Sequence, residues 1–165
     1  MMASQSINNI AHQPDHDHSR CVKTALQHAQ DLCKTNGQRL TKIRELVLKL
    51  IWQSHKPLGA YDLLPAIAKA GFNSAPPTVY RALDFLQEQG LVHRLATLNA
   101  FIGCSHPGQN HFGYFLICQT CGTTAELESS ALHSSIQSVA SHAGFSVEQE
   151  NIEILGRCPN CQESV

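Results

Sequence analysis

Apolar positions recur at helical spacing through the first ninety or so residues. Val22, Ala25, Leu26, Ala29, Leu32 and Cys33 share one face of a 3.6-residue period and predict a helix, which Asn36-Gly37 ends. Thr41 is the expected N-cap of a second helix, with Ile43, Leu46, Val47, Leu50 and Ile51 as its apolar face. A third is expected over residues 60 to 70, stopped by Gly71; Pro65 removes a ladder hydrogen bond, so a late start or a kink is expected there. Pro76-Pro77 opens a fourth, with Val79, Ala82, Leu83, Phe85 and Leu86 on one arc and Tyr80, Arg81, Asp84, Gln87 and Glu88 opposite. After Gly90 the period shortens: 91–95 and 100–104 read as two strands around a turn at Asn99. Helices followed by a hairpin predict a winged helix-turn-helix.

A Pro/Gly/Asn-rich joint at 105–110 separates this from a second pattern. Residues 112–118 and 123–127 read as strands, 131–143 as a helix through Leu132, Ile136 and Val139, and 145–155 as a further strand. The fold class expected is therefore α+β: an N-terminal winged helix-turn-helix domain (21–104), a hinge (105–111) and a small α/β domain (112–165) that dimerisation would help to stabilise. Residues 1–20, with His12, His16 and His18 among Asp15 and Asp17, read as a disordered tail.

Cysteine spacing adds chemistry. Cys118-x-x-Cys121 and Cys158-x-x-Cys161 each let two thiolates grip one tetrahedral ion from a tight turn, for which Gly122 and Pro159 supply the turn residues. Four thiolates complete the shell, so the zinc expected there is structural. A domain of this size has little core, and structural zinc contributes on the order of 10 kcal/mol of apparent folding free energy. With no secretion-signal pattern and no apolar run of about 20 residues, a cytoplasmic chain with reduced cysteines is expected.

The net charge of −1 conceals a division: residues 1–94 hold eleven Lys and Arg against seven Asp and Glu, while 95–165 hold Arg157 against six Glu. The basic half suits nucleic acid. Arg81 projects from the polar face near the start of the fourth helix, where a guanidinium can bond bidentately to guanine, worth roughly 1–3 kcal/mol of discrimination. Thr78 and Tyr80 would touch phosphate or a thymine methyl, and Tyr61 and Arg39 could reach the backbone.

Four further metal donors lie where the two halves must meet: His93 on the first wing strand, Cys104 after the second, His111 closing the joint and Glu126 after the first knuckle. Two imidazoles, a thiolate and a carboxylate suit a second, regulatory zinc, two Zn2+ per chain in all, and the thiolate argues against a purely oxygen-loving metal. His106 is a competing ligand, whereas His133, His142, Cys21 and Cys33 lack matching partners and read as structural. A rival from another class is a zinc-dependent hydrolytic enzyme using His93, Cys104 and His111 with Glu126 as base; no nucleophile elbow or phosphate loop accompanies it. A zinc-ribbon adaptor binding only protein is another.

The stretches Ala60-Tyr61-Asp62-Leu63-Leu64, Pro76-Pro77-Thr78-Val79-Tyr80-Arg81-Ala82-Leu83-Asp84-Phe85-Leu86 and Gly90-Leu91-Val92-His93, with Ile117-Cys118-x-x-Cys121-Gly122 and Cys158-x-x-Cys161, resemble the ferric uptake regulator (Fur) family, most closely its zinc-sensing Zur branch. The resemblance spans roughly residues 21–161. It implies a homodimeric, zinc-responsive repressor of zinc-acquisition genes that binds a double-stranded DNA operator and is not an enzyme. It assigns the four knuckle cysteines to structural zinc, His93, Cys104, His111 and Glu126 to regulatory zinc, and base contacts to Tyr61 and Arg81. Pro65, the His/Asp tail, the short C-terminus after Cys161 and the joint around His106 depart from the family pattern. Within the family, a sensor of iron, manganese or peroxide is the alternative.

Overall fold

Asp17 starts the first helix of this computed structural model, which describes residues 17–54, 56–109 and 111–163. Its Oδ1 accepts from Ser19 N at 2.9 Å and its Oδ2 from Ser19 Oγ at 2.7 Å, satisfying donors at the helix start. Helix α1 therefore runs His18–Thr35. Residues 18–20 are helical rather than part of a tail, and His12 and His16 lie outside the described residues.

The chain divides into two compact units after Gln109. In the N-terminal unit, α2 (Lys42–Trp52) follows Thr41, which occupies the N-cap without a side-chain cap bond. Its buried residues are Val47, Leu48 and Ile51; Leu48 joins the inner face, while Ile43, Leu46 and Leu50 pack only partly buried at its margin.

Helix α3 (Ala60–Lys69) begins at its first apolar residue and runs through Pro65 as one element, with no late start. Gly59 N donates to Asp62 Oδ2 at 2.8 Å, a local cap. Buried Ala60, Leu63 and Ile67 anchor the helix, and Pro65 points to solvent. Packing on three turns outweighs the one bond that proline deletes.

Helix α4 (Pro76–Glu88) buries Val79, Ala82, Leu83, Phe85 and Leu86, the arc expected from its period. Pro76 and Pro77 have no N–H to orphan, and Asn73 Oδ1 accepts from Ala75 N at 3.0 Å, so the helix start needs no further cap. Gly90 adopts φ 67°. Leu91 N then bonds Leu86 O at 2.8 Å, turning the chain directly into the wing.

Strands β1 (Val92–Leu95) and β2 (Ala100–Gly103) form that antiparallel wing, His93 facing Ile102, with Asn99 at φ 47° in the turn. Leu58 adds a bridge to Phe101, bonded both ways at 3.0 and 2.8 Å.

In the C-terminal unit, β3 (Gly113–Cys118) is central, antiparallel to β4 (Thr124–Leu127) and parallel to β5 (Asn151–Gly156). Helix α5 (Ser130–His142) links β4 to β5, and a short α6 (Pro159–Gln162) carries the last cysteine. Two expectations change here. The last strand begins at Asn151 rather than near 145, because Gly144 and Phe145 complete a helix stop: Phe145 N bonds Ala140 O at 2.8 Å and Gly144 N bonds Ser141 O at 3.0 Å. Helix α5 also buries none of its residues; Val139 is 71% exposed and Phe145 is 75% exposed. No helix among the described residues is long and apolar enough to cross a membrane.

Candidate metal centres and nucleic-acid interface

Register brings the two cysteine knuckles together. Cys118 ends β3 opposite Gly156 of β5, so the chain leaves both strands at the same edge of the sheet. Gly122 N donates to Cys118 O at 2.9 Å, closing the first knuckle, and Cys161 N donates to Cys158 O at 3.0 Å in the second. One ligand atom from each of Cys118, Cys121, Cys158 and Cys161 lies within 4.8 Å of the other three. Cys121 Sγ and Cys158 Sγ are 3.7 Å apart. Four sulfurs about 2.3 Å from a tetrahedral zinc have edges of about 3.8 Å, whereas a disulfide would need about 2 Å.

The electrostatics point the same way. Backbone N–H groups, that of Cys158 foremost, pull the Cys118 thiol down to about 5; the Cys158 N–H lies 3.3 Å from Cys118 Sγ. Cys121 is lowered chiefly by the Thr123 hydroxyl, 3.2 Å away. Cys161 is pushed up to about 12 by its hydrogen bond with Cys158 and by burial. A divalent cation held by the four would favour their thiolate forms. The donor set fits zinc, with no position left for substrate.

The second expected set is split between the units. In the C-terminal unit His111 Nε2 and Glu126 Oε1 are 2.8 Å apart, with side chains 12% and 5% exposed. In the N-terminal unit His93 is half-buried on β1, and Cys104 is buried just after β2, its N–H donated to Leu91 O at 3.0 Å. An alanine Cβ at Gly103 would lie 2.3 Å from Trp52 Cε2, so the residue before Cys104 is pressed against the indole. His106 is half-buried in the turn that follows, its carbonyl accepting from Gln109 N at 3.3 Å.

Of the residues read as structural, both histidines have partners. His133 Nδ1 lies 2.9 Å from Glu150 Oε1, and its ring stacks on Phe112 at 3.8 Å. Tyr114 Oη donates to Glu150, as does Gln137 Nε2. His142 Nδ1 is 2.7 Å from Ser138 O. Cys33 is buried, and burial raises its thiol. The Glu150 cluster has no signal in the sequence, since its members are scattered over β3, α5 and the loop before β5.

The DNA-contact candidates lie on the surface of the N-terminal unit. Tyr61 is 66% exposed in the first turn of α3, Tyr80 and Arg81 are exposed on the outer face of α4, Thr78 is half-buried, and Arg39 is exposed ahead of α2. Arg44 was not singled out by its spacing, yet its Nη1 donates to Arg39 O at 2.6 Å and its Cζ sits 3.5 Å over the Phe85 ring.

The sequence profile of the Ferric uptake regulator family matches residues 35–155. The zinc uptake regulation protein of Escherichia coli K12 is 36% identical over 139 residues, 84% of this chain and 81% of that protein. Among solved structures, a zinc uptake regulator complexed with zinc and DNA superposes with TM-score 0.81 at 35% identity, covering 86% of this chain and 95% of that one. The holo form of XcZur gives 0.77 at 39% identity, covering 90% and 100%. With most of its length matched at this identity, the chain belongs to the ferric uptake regulator family.

Proposed function

We propose that this protein is a zinc-responsive DNA-binding repressor of zinc-uptake genes that works as a homodimer. The observation that carries the reading is its similarity to zinc uptake regulators, one of them solved with zinc and DNA. The donor chemistry agrees: a closed tetrathiolate set for structural zinc, and a thiolate, Cys104, among the residues expected to hold a second ion. The apolar residues left uncovered in one copy, Leu116, Val139 and Ile154 among them, support pairing of two copies.

In this reading Cys118, Cys121, Cys158 and Cys161 brace the C-terminal unit around one zinc. His93 and Cys104 of the wing join His111 and Glu126 around a second. A zinc held by these four residues would tie groups of the two units together. The short His111–Glu126 approach holds the imidazole ready for a ligand role, and the Gly103–Trp52 contact fixes the backbone that carries Cys104. Arg81 and Tyr61 read bases, while Thr78, Tyr80 and Arg39 reach phosphates or groove edges. The regulatory zinc must favour the DNA-competent arrangement, and DNA must raise zinc affinity by the same factor. Moving from mostly open to mostly closed takes roughly 5 kcal/mol of differential binding.

The test is operator binding across a buffered free-zinc series, with zinc counted per chain and with iron(II) and manganese(II) arms. Two zincs per chain are expected, the weaker one tracking DNA affinity. Cys104→Ser should abolish zinc-dependent binding in a folded dimer, whereas Cys118→Ser should cost folding. Unaltered operator affinity in Cys104→Ser would refute the assignment of the regulatory set.

A further inference from the structure

The guanidinium of Arg44 touches two parts of the N-terminal unit at once and acts electrostatically on a third. Its Nη1 donates to the carbonyl of Arg39 at 2.6 Å, in the segment leading to α2. Its Cζ sits over the Phe85 ring, 3.5 Å from the centroid. Its charge is felt by Cys33 at the end of α1, where it opposes the rise that burial imposes on that thiol. Arg44 is half-buried and Phe85 is 6% exposed, so neither is a solvated surface group.

These contacts are chemically selective. Stacking uses the guanidinium plane, and the hydrogen bond uses its edge, two roles a lysine cannot fill together. The Arg39 carbonyl lies outside α2, so the helix ladder does not hold it. Phe85 belongs to the inner face of α4, the helix whose outer face carries Arg81. One side chain therefore registers the segment bearing Arg39 against the reading helix.

We propose that Arg44 is a positioning residue for DNA binding: it fixes the backbone of Arg39 so that the Arg39 side chain meets a phosphate while Arg81 is seated in the groove. This rests on the DNA-contact role of Arg39 given above. Arg44 contributes through Arg39 rather than by its own charge.

The test uses the full-length, zinc-loaded protein and a duplex selected by the wild type from a random-sequence pool. The readout is the slope of log affinity against log salt, which falls by about 0.9 for each phosphate no longer neutralised, hence about 1.8 per homodimer. Arg39→Ala and Arg44→Met should each lower the slope by that amount, and the double variant should lower it no further. Zinc per chain and melting temperature are measured alongside. A wild-type slope in Arg44→Met, with a reduced one in Arg39→Ala, overturns the proposal. Additive reductions in the double variant overturn it too, because Arg44 would then hold a phosphate of its own. An unchanged slope in Arg39→Ala removes the Arg39 contact and this proposal together, while zinc-dependent binding by the wild type leaves the repressor reading standing. Should Arg44→Met fail to fold, Arg44→Lys serves: a reduced slope despite retained charge supports positioning, and a wild-type slope overturns it.

Discussion

Replacing Gly103 by alanine tests the contact that fixes the approach to Cys104. A Cβ built there lies 2.3 Å from Trp52 Cε2, 2.5 Å from Nε1 and 2.7 Å from Cζ2, so the ring must retreat by about 1 Å to restore an ordinary contact of 3.4 Å or more. Overpacking of this kind costs typically 1–3 kcal/mol. Trp52 is half-buried and lines a cavity of about 260 Å³ with Leu48, Leu91 and Cys104, so with the ring relaxing into free space the lower half of that range is expected. About 1.5 kcal/mol in a unit of about a hundred residues lowers the melting temperature by roughly 6–12 °C. Trp52 is the only tryptophan, so its emission reports this site alone. The assay is thermal unfolding followed by fluorescence, repeated through a zinc titration of protein whose four-cysteine site is already filled. Gly103→Ala should melt lower, shift the emission and weaken the zinc-dependent change. On a Trp52→Leu background the alanine should cost less than about 0.5 kcal/mol, because the clashing ring is gone. A variant melting within about 2 °C of wild type with the same emission would show that the indole does not constrain the wing.

Three further outcomes follow from the same structure. Pro65→Ala restores an N–H in the exposed middle of α3 and should stabilise the protein by about 1–3 kcal/mol, measured by urea unfolding; no gain would mean that the helix has already adapted around the ring. Burial, and next the hydrogen bond to Glu150, push the Tyr114 phenol up to about 12. Its neutral form is thus favoured by folding, a contribution full below pH about 10 and lost as pH rises through about 12. Tyr114→Phe should be less stable at neutral pH yet show a shallower loss between those limits, and parallel pH profiles would contradict the assignment. Arg81→Ala should weaken operator binding by about 1–3 kcal/mol and relax sequence preference at one base pair per half-site, read by selection from randomised duplexes; a uniform loss across sequences would make Arg81 a phosphate contact instead.

What could be read from the sequence was what depends on near neighbours. The α4 arc from Val79 to Leu86 follows from period and from the prolines that open the helix. The cysteine knuckles follow from a two-residue spacing that only a tight turn satisfies. Pro65 opposes an unbroken α3 on local propensity alone, but the burial of Leu63 and Ile67 outweighs it. The strand expected from 145 failed because Phe145 is spent on the α5 stop and Glu150 turns toward Tyr114, His133 and Gln137. Val139 fitted a helical stripe, but a stripe does not say whether its cover comes from the same chain. Arg44 was invisible because its partners, Arg39 and Phe85, are brought to it only when α2 and α4 pack.

The parallel pairing of β3 with β5 bears on how the protein is made. Cys118 and Cys158 meet across a separation of 40 residues, and closing a loop of that length costs about 3 kcal/mol before any strand contact compensates. Parallel strands joined by a crossover are also slow to find one another. In the repressor reading, an ion that clasps the two knuckles would secure this sheet in a chain leaving the ribosome. As a zinc-dependent repressor, the protein would spend part of the supply it monitors on its own maturation. Prolonged scarcity would then reduce the number of finished repressors as well as their occupancy, and derepression would deepen with each round of synthesis.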